Sequence, residues 1–131
     1  MGRTVGIACL LLLTASGCAL SQSAFDRTAG DAGASFAAAA ATLTYVHQGR
    51  LTTAYAASSF VNFRSALSGL DRQLSTAEGA PDARTVRHLL ALARPAEQAV
   101  RQPCLEGACA WRAQVVALHR ASEAFLEASG G

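Results

Sequence analysis

Three histidines, four cysteines and nine carboxylates are the first side chains to weigh for metal binding, proton transfer or nucleophilic attack. His47 falls at the end of a predicted first helix and His88 near the start of a third. In an up-down bundle those positions are opposite ends of the molecule, so a three-histidine zinc site is not expected. His88 and His119 fall on adjacent predicted helices at similar height, and only this pair could share a ligand inside a bundle. The plainer reading makes both of them surface histidines. The sole methionine is Met1, which rules out a His/Met-ligated haem once an export segment is removed. The Glu-x-x-His pairs of di-iron bundles are absent, as are a Gly-x-Ser-x-Gly nucleophile turn and a glycine-rich phosphate loop. Every cationic side chain apart from histidine is arginine, so lysine Schiff-base chemistry is excluded. Glu97 lies beside the predicted third-helix seam and reads as a boundary carboxylate paired with Arg94 or Arg101. Leu51-Thr52-Thr53-Ala54-Tyr55 lacks the glutamine of the Leu-Thr-x-x-Gln motif of small helical periplasmic chaperones. The expectation is a protein that is not an enzyme, with no catalytic residue, resident cofactor or metal.

Behind these side chains stand four runs of helical periodicity. The chain has 131 residues, enough for one domain, and 51% hydrophobic against 15% charged residues argues for a packed core. Only 6% of residues are aromatic, so Ala, Leu and Val must supply most of that core. Phe25, Ala29, Ala32, Phe36, Ala39, Leu43 and Val46 recur at alternating gaps of four and three, opened by Ser23-x-x-Asp26 and closed near Gly49. A second seam runs Phe60, Phe63, Leu67, Leu70, Leu74, Ala77, with Gly69 inside it, read as a point of close helix packing with a hinge as the less favoured alternative. Pro81 and Asp82 start a third helix carrying Val86, Leu89, Leu90, Ala93, Ala96 and Val100, in which Pro95 predicts a kink or break near positions 91–94. A fourth follows Gly107 with Ala108, Trp111, Val115, Leu118, Ser122 and Phe125 on one stripe. No segment alternates with a period of two. The predicted fold is all-α, an up-down-up-down four-helix bundle over residues 25–129.

The N-terminal segment is of another kind. Arg3 precedes an apolar stretch from Val5 to Leu13, followed by Ala15, Ser16, Gly17 and Cys18. This is the pattern of a secretory signal, with an apolar run too short to span a bilayer. Ala15-Ser16-Gly17-Cys18 resembles the lipobox of bacterial lipoproteins. The resemblance covers the export segment alone and implies a signal peptide over 1–17, a lipidated Cys18 and a short tether over 18–24. It further implies a bacterial envelope location with the membrane held through the N-terminal lipid. Ala19 after that cysteine resembles outer-membrane sorting if the host is Gram-negative; in a Gram-positive host the anchor would be the outer face of the plasma membrane. Ordinary cleavage near Gly17 or Ala19 is the alternative and would release a soluble chain.

Export bears on the remaining cysteines. Cys9 leaves with the signal and lipid occupies Cys18, so Cys104 and Cys109 remain to pair as a disulfide in an oxidising compartment. Their spacing is neither Cys-x-x-Cys nor a haem-attachment motif. A loop this short contributes at or below ~2–3 kcal/mol. Removing Arg3 lowers the net charge from +2 to +1, too weak for a nucleic-acid partner. The end of the bundle away from Cys18 would carry His47, Arg50, Tyr55, Trp111 and Arg112, types enriched at binding hot spots, although the favoured, plainer reading makes Trp111 a core residue and the arginines a solvated helix surface. The favoured reading is a lipid-anchored binding or structural accessory with an envelope protein as its possible partner. A small-ligand, metal or cofactor carrier, with His88 and His119 the first suspects, is the alternative.

Overall fold

The computed structural model describes residues 22–130. The signal segment, Cys9 and Cys18 therefore lie outside the described residues. Five helices are present: α1 (Ala24–His47), α2 (Thr53–Leu67), α3 (Leu70–Thr76), α4 (Ala83–Arg101) and α5 (Trp111–Ala128). No strand occurs among the described residues. The fold is an all-α four-helix bundle in which α2 and α3 together form the second arm.

Helix α1 starts where its cap dictates. The Ser23 hydroxyl accepts from the Asp26 amide at 3.1 Å, and Asp26 puts a negative charge in the first turn. Asp82 caps α4 the same way, accepting from the Thr85 amide at 2.8 Å. That hydrogen bond holds the Asp82 carboxyl below its ordinary value. The first seam is buried as its spacing predicts, from Phe25 through Ala29, Ala32, Phe36 and Ala39 to Leu43. Leu89, Ala93, Ala96 and Val100 of α4 and Leu118 and Phe125 of α5 complete the same core, in which the Phe36 and Phe125 rings meet edge to face at 5.6 Å.

Three expectations need correction. The second helix is not continuous: Ser68 is extended and Gly69 adopts φ +76°, a left-handed conformation that a side chain resists. A Cβ on Gly69 would meet nothing within 4 Å, so this glycine serves a backbone turn and not close packing. Pro95 does not break α4, which runs through it to Arg101. Ala91 and Pro95 both face solvent, where water can take the carbonyl that the missing amide leaves free. The last helix begins at Trp111, leaving Ala108 in the preceding loop.

The break redirects the second arm. Thr53 starts α2 beside the end of α1, while Gly69 borders Glu97, Val100 and Arg101 in the last turns of α4. A 15-residue helix is about 22 Å long. Both of its ends lie toward the same end of the bundle, so α2 crosses that end obliquely and α3 resumes the descent along α1. The Phe25 amide donates to the Glu78 carbonyl at 3.0 Å, closing the opposite end.

Helices α1 and α5 approach closely at Gly33. A Cβ on Gly33 would stand 2.8 Å from Leu126 Cγ, and the buried Ser122 hydroxyl donates to the Gly33 carbonyl at 2.9 Å.

Candidate functional site

The end of α1 and the start of α5 bring side chains of the expected surface together. The imidazole of His47 stacks on the Trp111 ring with centroids 4.3 Å apart and an interplanar angle of 6°. His47 Nε2 lies 2.6 Å from the Cys104 carbonyl oxygen. A carbonyl can only accept, so Nε2 carries the proton and donates. The Arg112 guanidinium lies 5.1 Å from the Trp111 centroid, and that of Arg50 lies 4.8 Å from the Tyr45 centroid. Trp111 is half-buried, neither wholly core nor a free face. Tyr55 is 61% exposed on the first turn of α2, where its amide donates to the capping Thr52 hydroxyl.

The loop joining α4 to α5 is fixed from two sides. Cys104 and Cys109 form a disulfide with Cα atoms 6.0 Å apart, a normal span for the bond. Gln114, absent from the sequence reading, reaches back from α5. Its Oε1 accepts from the Cys104 amide at 2.8 Å and its Nε2 donates to the Gln102 carbonyl at 3.0 Å. Its place one turn into α5 and close behind the cysteine pair was the signal available in the sequence. This bracing sets the Cys104 carbonyl where His47 finds it.

Two depressions flank this end. A cleft of about 310 Å³ under the α2–α3 junction is lined by Arg64, Asp71, Glu97 and Arg101 among others. Burial and the nearby Asp71 carboxylate push the Glu97 carboxyl above its ordinary value, against the opposing pull of Arg101 and Arg94. A wider groove of about 710 Å³ runs beside the disulfide between α4 and α5, bordered by Pro95, Gln102, Ala113 and Gln114. His88 and His119 are both exposed, so neither aims into the bundle interior. No group of three or more His, Cys, Asp or Glu among the described residues could hold a metal ion. Nor is any helix among them long and apolar enough to cross a membrane.

The end of α1 and the start of α5 thus carry stacked aromatic rings with arginine guanidinium groups beside them. Comparison with family models, with curated proteins and with solved structures finds no match.

Proposed function

We propose that this chain is a lipid-anchored accessory of the bacterial envelope, carrying a docking surface at the end of the bundle away from its anchor. The observation that carries the reading is the distance between lipobox and fold. Cys18 is followed by only four residues before Ser23, the side chain that caps α1. A chain of that length reaches at most about 3.3–3.6 Å per residue, so an acylated Cys18 would hold the bundle against the leaflet. The opposite end, some 36 Å away along a 24-residue helix, would face outward. The disulfide agrees with an oxidising compartment. Affinity for the membrane would come from the acyl chains, each buried methylene adding about 0.8 kcal/mol.

The test is metabolic labelling with radioactive palmitate. Wild-type protein should carry label and enter the detergent phase of a cloud-point separation. Cys18→Ser should carry none and stay in the aqueous phase. An unlabelled wild type, or a Cys18→Ser variant that still takes label, sinks the anchor.

A further inference from the structure

The break at Gly69 opens the cleft of about 310 Å³ and brings both signs of charge to its walls. Arg64 comes from the last turn of α2 and Asp71 from the first turn of α3. Glu97 and Arg101 stand one turn apart on α4. Leu67, Leu70 and Val100, all buried, supply the apolar lining between them.

Glu97 and Arg101 have the spacing at which opposite charges ordinarily pair on a helix surface. Among the described residues no hydrogen bond closes that pair. Glu97 senses Arg101 and Arg94 through space alone, and Arg64 donates from Nη1 to the Arg101 carbonyl at 3.4 Å and not to a carboxylate. Glu97 is half-buried with the Asp71 carboxylate as a neighbour, and both conditions disfavour its charged form. A cation that hydrogen-bonds both carboxyl groups relieves that repulsion. Guanidinium groups with no carboxylate of their own match a planar anion with two oxygens.

We infer that the cleft at the α2–α3 junction binds a small zwitterion of the free amino-acid class. Its ammonium lies at Asp71 and Glu97, its carboxylate at Arg64 and Arg101, and an aliphatic side chain against Leu67, Leu70 and Val100. The cleft is at the small end of ligand sites, which suits one such molecule and not a nucleotide or a peptide chain. A simple anion would leave the carboxyl groups facing each other, and a simple cation would leave the guanidinium groups unmatched. A divalent metal fits less well, since calcium takes about six to eight oxygen ligands and the arginines repel it. This site goes beyond the docking surface proposed above and does not rest on the anchor.

The test is calorimetric titration of the full chain in neutral detergent with L-leucine as the probe. The wild type should bind it saturably, in a one-to-one ratio. 4-Methylpentanoate, which lacks the ammonium, and isopentylamine, which lacks the carboxylate, should each bind at least about tenfold more weakly. Glu97→Gln and Arg64→Gln should each weaken L-leucine at least about tenfold, whereas Arg120→Gln on α5 should bind as wild type does. Circular dichroism checks that helix content is unchanged, and if Arg64→Gln unfolds, Glu97→Gln decides alone. Absence of L-leucine binding, equal binding of either truncated probe, or a folded Glu97→Gln that binds as wild type does would each overturn the inference. The titration needs no acyl chain, so a failed palmitate experiment and a failed titration are separate outcomes.

Discussion

Gly33 carries more of the fold than its size suggests. Its missing side chain lets α5 approach until Leu126 atoms occupy the space of a Cβ, and its carbonyl receives the buried Ser122 hydroxyl. Gly33→Ala gains helix propensity, worth about 0.8–1 kcal/mol, but drives a methyl into Leu126 Cγ and toward the Leu126 backbone nitrogen. Overpacking of that kind costs about 1–3 kcal/mol. The expected outcome is net destabilisation of roughly 1 kcal/mol, read as a lower urea midpoint with unchanged slope. Glu97 predicts a pH effect. Its folded carboxyl titrates above its unfolded value, so ionisation favours the unfolded chain. The stability tied to this group is present below the unfolded pKa and is lost as pH rises through the folded one. Glu97→Gln should therefore raise the thermal midpoint at neutral pH and leave it nearly unchanged in acid. A variant less stable than wild type at neutral pH would show that Arg94 and Arg101 outweigh burial.

At the scale of helices, periodicity records which face is buried and says little about where an axis points. Phe25 to Leu43 and Leu89 to Val100 were legible because each helix places one residue on the core face at every turn. Phe60, Leu67, Leu70 and Leu74 were also read correctly as core, yet they sit on two helices and not one. Gly69 explains the error. A glycine inside a regular pattern can permit close packing or a left-handed turn, and spacing does not distinguish them. Of the kink or break expected at Pro95, the break does not occur, because Pro95 faces water. The two positions make opposite predictions. Pro95→Ala restores an amide donor in mid-helix and should stabilise by about 1–3 kcal/mol. Gly69→Ala must hold φ +76° with a Cβ, at a cost of about 1–2 kcal/mol. Chemical denaturation of both variants checks the pair, and a stabilised Gly69→Ala would mean that α2 and α3 can fuse.

On the whole-molecule scale, the candidate surface was partly legible. His47, Arg50, Tyr55, Trp111 and Arg112 were assigned to one end because helix order alone determines which termini meet. The stacking of His47 on Trp111 and the hydrogen bond to Cys104 were beyond that reasoning, since they depend on the loop braced by Gln114. The placing of Arg64 beside Arg101 and Glu97 was likewise beyond it, since it depends on the turn at Gly69. An end that faces away from the membrane has meaning only if residue 18 is the point of attachment. The most direct measurement is a mass spectrum of the N-terminal peptide from membrane-extracted protein. The account predicts a chain beginning at Cys18 with a diacylglyceryl group on its sulfur; an unmodified chain beginning at Met1 or Ala19 would contradict it.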